Sequence, residues 1–177
     1  MDSEKGLVIL YTGEGKGKTT AALGLVLRAV GYKKKCLIVQ FGKAWFTGEL
    51  VGIKKLSPLV KIIQGGKGFL DILGSKVSKE EHKKAAKEAY NILYKEVMSG
   101  KWDIVVADEI VGAVSSGVLP LKLVIKLIKD KPRKIDLVLT GHHAKKKLTD
   151  MVDLVTEMKE IKHPYQLGIL AKKGIDF

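Results

Sequence analysis

The feature that most constrains this chain is a glycine-rich stretch near its N-terminus, residues 11–20, with the sequence YTGEGKGKTT. A short apolar run over residues 7–10 precedes it, and a segment of helix-forming residues, 21–30, follows it. A buried strand, a glycine-rich turn and a Gly-Lys-Thr sequence that opens a helix are typical of phosphate-binding loops. The stretch therefore predicts a polyphosphate site at the first strand-to-helix connection of an α/β fold.

The residue types of this stretch suit a polyphosphate. Glycines at positions 13, 15 and 17 allow the backbone to turn its N–H groups towards an anion. The N-terminus of the following helix adds further unpaired N–H groups. Lys18 supplies a positive charge, and the Thr19 hydroxyl suits a magnesium ion that bridges the phosphates.

The spacing departs from the common pattern of a glycine, four residues and Gly-Lys-Thr. Five positions before Gly17 the residue is Thr12, and from Gly13 the gap is only three residues. The dinucleotide pattern G-x-G-x-x-G also fails, because Lys18 stands at its last glycine position. A glycine-rich turn that merely precedes a helix is the alternative interpretation. Glu14 would repel an anion, so we expect it to point away, or towards a metal or a ribose hydroxyl.

Length and composition indicate one domain. The chain has 177 residues without an internal repeat or a low-complexity linker, so we expect a single domain over residues 1–177. The sequence has no apolar run of about 18 residues and no secretion leader, which predicts a cytoplasmic protein without a membrane span. Cys36 lies in an apolar run and is expected to be a buried thiol in a reducing compartment.

The net charge of +13 is compatible with several kinds of partner. Such a chain attracts ATP, an acidic protein or nucleic acid. Of the 32 basic residues only Arg28 and Arg133 are arginines, and lysines spread over helix faces are typical of a solvated surface. Nucleic-acid binding is therefore the less favoured interpretation.

Strand-like apolar runs alternate with helix-forming segments, which predicts an α/β domain of the P-loop NTPase type, with a mostly parallel sheet and helices on both faces. The predicted strands cover about residues 7–11, 35–41, 60–64, 102–109, 136–141 and 153–158, and the main helices about 18–30, 78–99 and 120–130. A last hairpin over residues 162–177 is expected to close the sheet edge.

Two acids, Asp108 and Glu109, end the buried strand that begins near Trp102. Acids at a strand end often only cap a following helix. Beside a phosphate-binding loop they hold magnesium, directly or through water. Together with the Gly-Lys-Thr turn they indicate a nucleotide site.

The loop over residues 42–49 follows the second strand, where ligands bind in open α/β sheets. Trp45 in this loop is placed either to stack on a ring-shaped ligand or to cover the sheet as an apolar flap. A second glycine-rich loop over residues 65–74 lies on the same side of the sheet and is expected to be mobile.

The histidines give weaker signals. Ser78 and Glu81 form a capping box, and His82 on the first turn of that helix is expected at the surface. Residues 142–143 are two histidines after the fifth strand; the sequence leaves open whether they contact a ligand, and no Cys or carboxylate cluster completes a zinc site. His163 precedes a proline and is expected to be structural.

Several stretches together resemble one family, the ATP:corrinoid adenosyltransferases of the phosphate-loop type, which act in cobalamin synthesis and salvage. The shortened phosphate loop is a trait of that family. The stretches that carry the resemblance are residues 12–22, residues 39–41 with Lys43, Trp45, Gly48 and Glu49, residues 108–110, residues 140–141, residues 153–158, residues 162–164 and residues 174–177.

The resemblance implies an activity and its partners. Corrinoid cobalt in the Co(I) state attacks the 5′ carbon of ATP, and triphosphate leaves. ATP and a reduced corrinoid are then the substrates, and Mg²⁺ or Mn²⁺ is the cofactor. A homodimer and an acidic electron-donor protein, such as a flavodoxin, are further expectations.

The resemblance also implies roles for particular residues. Lys18 and Glu109 are expected to be catalytic, Thr19, Asp108 and Glu109 to serve the metal, and Trp45 and Phe69 to lie on the corrinoid side. Residues expected at the triphosphate are Thr12, Gly13, Glu14, Gly15, Lys16, Gly17, Lys18, Thr19 and Thr20.

This sequence departs from the family pattern at two positions. Asp71 stands where the family often has a tryptophan after Phe69, so the lower cobalt ligand is displaced differently or the preferred corrinoid lacks it. His142 stands in place of the arginine of a Thr-Gly-Arg sequence, so a fixed cation becomes a titratable group.

Two other function classes compete with this interpretation. A nucleic-acid-coupled ATPase fits the net charge and the Asp108–Glu109 pair, although the short loop and the scarcity of arginine oppose it. A small-molecule kinase is disfavoured because such enzymes usually clamp phosphates with several arginines.

Overall fold

A computed structural model describes residues 5–66, 68 and 77–177. Its centre is one six-stranded sheet in which every strand pairing is parallel, in the order β3-β2-β4-β5-β1-β6. This confirms the predicted α/β fold and makes the sheet fully parallel. The strands are β1 (Val8–Thr12), β2 (Cys36–Phe41), β3 (Val60–Gly65), β4 (Ile104–Asp108), β5 (Asp136–Thr140) and β6 (Leu154–Glu157).

Helices cover both faces of the sheet, as predicted. The helices are α1 (Lys18–Gly31), α2 (Gly48–Lys54), α3 (Lys79–Met98), α4 (Ile110–Ser115), α5 (Leu121–Asp130) and α6 (Lys146–Thr149), followed by a short 3₁₀ helix, Pro164–Leu167. The capping box that opens α3 is present in full. The short helices α2, α4 and α6 were not predicted, because four to seven residues carry too little periodicity to be recognised.

Two apolar layers hold the helices to the sheet. Val26 of α1 packs with Ile38 and Val138 in one layer, while Leu93 of α3 and Leu127 of α5 belong to the opposite layer. Both leucines are fully buried, so truncating either to alanine would cost about 2–5 kcal/mol. Cys36 is also fully buried in the first layer, as expected, and burial raises the pKa of its thiol to about 11.

The strand register brings the candidate site together. Gln40 on β2 pairs with Asp108 on β4 and with Gln64 on β3, and Tyr11 on β1 pairs with Thr140 on β5. Parallel strands all end at the same edge of a sheet, so the loops after β1, β2, β4 and β5 converge there.

Two predictions were wrong. Residues 162–177 form the 3₁₀ helix and turns, not a hairpin. The edge strand on this side of the sheet is β6, which pairs in parallel with β1. His82 is buried, with 5% of its surface exposed, because the first turn of α3 packs inward at this position. Among the helices of the described residues, none has the length and apolar character needed to cross a bilayer.

Candidate active site

The glycine-rich loop is held in place by the segment after β6. Gly13 has φ +99°, and a Cβ there would lie 2.4 Å from the Met158 carbonyl oxygen, so only glycine fits. The Gly15 N–H donates to the same carbonyl at 2.6 Å. This N–H therefore faces Met158 and not the cavity, whereas the sequence suggested that it turns towards an anion.

Lys18 is folded back onto the loop. Its side chain is buried, and Nζ donates to the carbonyl oxygens of Gly13 at 2.7 Å and Gly15 at 2.8 Å. Burial lowers its pKa, although Glu109 and then Glu14 act in the opposite direction. Its ammonium group is therefore hydrogen-bonded to neutral carbonyl oxygens, and a bound anion would replace them as a stronger acceptor.

Asp108 is the centre of a buried hydrogen-bond network. Its Oδ1 accepts from the hydroxyls of Thr19 and Thr140, each at 2.8 Å. Its Oδ2 accepts from Gln40 Nε2 at 3.1 Å and lies 3.6 Å from Lys43 Nζ. Only 1% of the Asp108 surface is exposed, and these donors offset the cost of burying its polar oxygens.

Two of the three predicted metal ligands, Thr19 and Asp108, are thus in direct contact. Within the described residues, no group of three or more His, Cys, Asp or Glu side chains could hold a metal ion. Mg²⁺ does not need such a cage, because it usually takes one or two protein carboxylates and completes its shell with phosphates and water. The hard oxygen donors of Thr19 and Asp108 therefore fit Mg²⁺ or Mn²⁺.

Glu109 stands at the start of α4 in a left-handed conformation, with φ +63°. Its N–H donates to the Thr140 hydroxyl oxygen at 2.8 Å, and its carboxylate lies over Gly112, where a Cβ would be 2.1 Å from Oε1. Burial and then the charge of Asp108 raise its pKa, while Lys18 and Lys43 act in the opposite direction.

A second pair of charges braces the loop after β2. Glu49 Oε1 accepts from Lys43 Nζ at 2.9 Å and from Gln40 Nε2 at 3.1 Å. Burial by itself would raise the pKa of Glu49, but the hydrogen bonds from Lys43 and Gln40 outweigh it and lower the pKa to about 2. Gln64 Nε2 donates to Gln40 Oε1 at 3.2 Å and to the Trp45 carbonyl at 3.3 Å. The network thus extends from Asp108 to Trp45.

Sequence reasoning assigned no role to Gln40, Lys43, Glu49 or Thr140 in this network. One signal was present in the sequence: Gln40 is a polar residue inside the apolar run CLIVQF, and it is completely buried. A polar side chain in a doubly covered strand needs partners.

Glu14 is exposed, and its carboxylate faces two histidines. Its carboxylate lies 3.1 Å from His143 Nδ1 and 3.6 Å from His142 Nδ1. Burial and then the charge of Lys18 lower the pKa of His142. His163 caps the 3₁₀ helix by accepting from the Tyr165 N–H at 3.2 Å, so a structural role is visible.

Two cavities open at the carboxyl edge of the sheet. The first, here called the loop cavity, has a volume of about 580 Å³ and is bounded by residues 14–20, Lys43, Trp45 and residues 174–177. The second, called the α3–α4 cavity, has a volume of about 460 Å³. Its walls include Phe41, Gly42, Gly66, His82, Ala113 and Ser116. Glu109 and His142 belong to the walls of both cavities.

The remaining predicted residues are distributed around this edge. Thr12 is buried, and its hydroxyl oxygen accepts from the Ala144 N–H at 3.4 Å. Lys16 is exposed and forms an ion pair with Asp176. Thr20 is exposed in the loop cavity.

Trp45, which was predicted on the corrinoid side, lines the loop cavity and also approaches Gly68, where a Cβ would be 3.7 Å from the Trp45 ring. Phe69 and Asp71 lie outside the described residues.

Comparisons with known proteins agree with this geometry. The family model described as ATP:corrinoid adenosyltransferase BtuR/CobO/CobP matches residues 4–177. The corrinoid adenosyltransferase of Sinorhizobium sp is 35% identical over an alignment of 185 residues that covers 98% of this chain and 81% of that protein. The corrinoid adenosyltransferase of Escherichia coli (strain K12) is 30% identical over 175 residues, 98% of this chain and 87% of that protein. Corrinoid adenosyltransferase CobA of Salmonella typhimurium is 31% identical over the same shares. This chain belongs to the ATP:corrinoid adenosyltransferase family.

Proposed function

We propose that this protein transfers the 5′-deoxyadenosyl group of ATP to the Co(I) centre of a reduced corrinoid and releases triphosphate. The observation that carries the proposal is the junction of the two cavities at Glu109 and His142. One cavity presents the glycine-rich loop with Lys18, while the other has walls of glycine and apolar residues. The arrangement supports an anionic substrate beside a bulky, largely apolar one, as adenosyl transfer requires.

The reaction needs two bond changes. A bond forms between cobalt and the 5′ carbon, using the electron pair of Co(I), and the bond between the 5′ carbon and the triphosphate oxygen breaks. That oxygen takes the electron pair, so negative charge grows on the leaving group. Because the corrinoid is the nucleophile, the protein has to align the reactants and stabilise the leaving group.

Lys18 stabilises the leaving triphosphate in this proposal. Its Nζ exchanges the neutral carbonyls of Gly13 and Gly15 for charged phosphate oxygens, which are the stronger acceptors. The other residues of the loop, 12–20, bind the same triphosphate through hydroxyl groups and through backbone N–H groups other than that of Gly15, which donates to Met158.

Thr19, Asp108 and Glu109 would hold Mg²⁺ or Mn²⁺. When bound, the ion supplies positive charge to the triphosphate. Thr19 Oγ1 and Asp108 Oδ1 already lie 2.8 Å apart, so both oxygens are oriented towards one place. Glu109 sits where the cavities meet, and its carboxylate would serve the metal and the ribose end of ATP.

Part of the corrinoid ring occupies the α3–α4 cavity, and the rest of the corrinoid lies outside this cavity. Gly42, Gly66 and Gly112 belong to its wall, and their small volume leaves room for a flat macrocycle. Trp45, between the two cavities, packs against the ring edge. Phe69 follows Gly68, which is itself part of this wall, and acts on the lower face of the corrinoid.

The assembly that we propose is a homodimer. Apolar side chains are exposed along β6 and the segment after it, among them Val155, Ile161, Leu167 and Leu170. A second copy of the chain would cover them. The net charge of +13 suits an acidic electron-donor protein as a transient partner, and the need for ATP and Co(I) together fits the reducing cytoplasm.

The test is a reaction of the protein with Mg²⁺, ATP and a chemically reduced corrinoid. We expect a light-sensitive adenosylated corrinoid and intact triphosphate in equal amounts. Release of ADP or orthophosphate without adenosylation would overturn the proposal. Omission of the corrinoid is the control, since no triphosphate should then form.

A further inference from the structure

His82 has a buried nitrogen without a partner. The residue lies on the first turn of α3 and belongs to the wall of the α3–α4 cavity. It is 5% exposed, and Nε2 is closed off from water with no hydrogen bond to any described residue. Because an unpaired buried nitrogen destabilises the fold and is rare in native proteins, its presence needs an explanation.

The neighbouring wall does not provide a partner. Phe41, Ala86 and Ala113 are apolar. Ser115 and Ser116 donate their hydroxyl hydrogens to the helix carbonyls of Gly112 at 3.0 Å and Ala113 at 3.3 Å. The nitrogen therefore belongs to a residue in a cavity wall that is more than half glycine and apolar side chains, with Glu109, His142 and His143 as its other ionisable members. A few polar groups in a mostly apolar wall are the arrangement that orients a ligand.

We propose that His82 is a specificity residue that hydrogen-bonds a carboxamide side chain of the bound corrinoid. The inference rests on the proposed function, and it adds a contact at the periphery of the ring. A primary carboxamide carries both a donor and an acceptor, and in the proposed contact its N–H donates to Nε2. Nε2 is closed off from water in this structure, so the proposal requires the imidazole ring to turn towards the cavity when the corrinoid binds.

A bond from Nε2 to cobalt is the competing role for this histidine. An axial nitrogen would make Co(II) five-coordinate and leave a magnetic signature of one nitrogen on the cobalt spectrum. A carboxamide contact leaves cobalt without such a ligand. The two roles are therefore separated by electron paramagnetic resonance of the bound Co(II) corrinoid.

The experiment compares the wild type with His82→Phe, using a Co(II) corrinoid that lacks a lower nucleotide base, titrated in the presence of Mg²⁺ and ATP. We expect the Kd for this corrinoid to rise about tenfold, the loss expected for one hydrogen bond, and the Kd for ATP to stay unchanged. Lys84→Ala, at an exposed residue of the same first turns of α3, is the control and should bind both ligands as the wild type does.

A second corrinoid sharpens the test. When all side-chain amides are replaced by methyl esters, the donor is lost, and the wild type and His82→Phe should differ less than twofold. If His82→Phe does not fold, His82→Gln takes its place; its amide supplies a donor and an acceptor, and it should bind the amide corrinoid within about threefold of the wild type.

The outcomes are distinct. Equal corrinoid affinity of the wild type and His82→Phe overturns this inference while adenosylation by the wild type keeps the proposed function. Equal losses with the amide and ester corrinoids also overturn it, as does a nitrogen coupling to cobalt that disappears in the variant. A wild type that neither binds nor adenosylates the corrinoid overturns both proposals.

Discussion

The two cavities of this protein differ in how their polar groups are paired before a ligand binds. In the loop cavity, Lys18 and Lys43 are already paired with acceptors inside the protein, and ligand binding exchanges one set of contacts for another. In the α3–α4 cavity the wall is mostly glycine and apolar side chains, and His82 keeps a nitrogen without a partner. One cavity therefore selects by charge and the other by shape, and substitutions should affect the two ligands separately.

The largest effect is expected for Lys18→Ala. Removing the ammonium group leaves the growing charge of the triphosphate without its main protein cation, so kcat/KM should fall about 10²–10³-fold. Corrinoid binding should change little, because Lys18 belongs to the loop cavity alone. Steady-state kinetics and separate titrations of the two ligands measure this. Lys16→Ala, at an exposed lysine of the same loop, should cost less than tenfold, and an equal loss in both variants would contradict a special role for Lys18.

Asp108→Asn should have the next largest effect. The substitution keeps the volume and one acceptor oxygen for Thr19 and Thr140, but it removes the negative charge that a divalent cation needs. We expect Mn²⁺ to bind at least about tenfold more weakly in the presence of ATP, as measured by electron paramagnetic resonance of free Mn²⁺. Asp130→Asn, at a carboxylate distant from the site that pairs with Lys126, is the matched control. Unchanged Mn²⁺ affinity would remove Asp108 from the metal site.

Phe69→Ala tests the same comparison at the corrinoid instead of at ATP. If Phe69 acts on the lower face of the corrinoid, the variant should lose about tenfold in corrinoid turnover, equivalent to about 1.4 kcal/mol, while the Kd for ATP stays the same. Equal effects on both ligands would place Phe69 elsewhere. Replacing Asp71 by tryptophan, the residue often found there in the family, shows whether the departure at that position changes which corrinoid is preferred.

The sequence predicted one cavity far better than the other, for a physical reason. The longest contiguous part of the loop cavity is residues 14–20, and Glu109 follows an apolar run, so local patterns reveal both. The α3–α4 cavity brings together Gly42, Gly66, His82 and Gly112, which are far apart in the chain. No local pattern marks such a set.

The fold was similarly predictable where the signal is local. The apolar runs of all six strands and the capping box of α3 were visible in the sequence. His82 was placed at the surface because Glu80, Glu81 and Lys83 surround it in the sequence, but its position on α3 turns inward. The expected hairpin over residues 162–177 was wrong because β6 pairs with β1 in parallel, and its outer edge receives no further strand among the described residues.

The smallest effect is expected on stability and concerns Glu49, which braces the loop after β2. Its pKa is about 2 in the folded protein, below the value of about 4.3 for an unperturbed glutamate. A lowered pKa means that the unfolded chain binds more protons, so the contribution of Glu49 is fully present above about pH 4.3 and is lost as the pH falls towards 2. The wild type should therefore lose about 1 kcal/mol more stability than Glu49→Gln between about pH 5 and pH 2.5.

Urea unfolding at each pH measures this difference, provided that the slope with urea stays the same in both proteins. The control is Glu80→Gln, at an exposed residue on α3, which should follow the wild-type curve. Parallel curves for the wild type and Glu49→Gln would mean that the contacts from Lys43 and Gln40 do not hold the carboxylate charged. The ion pair of Lys43 with Glu49 would then contribute less to the loop cavity than proposed, and the contrast between this cavity and the α3–α4 cavity would weaken.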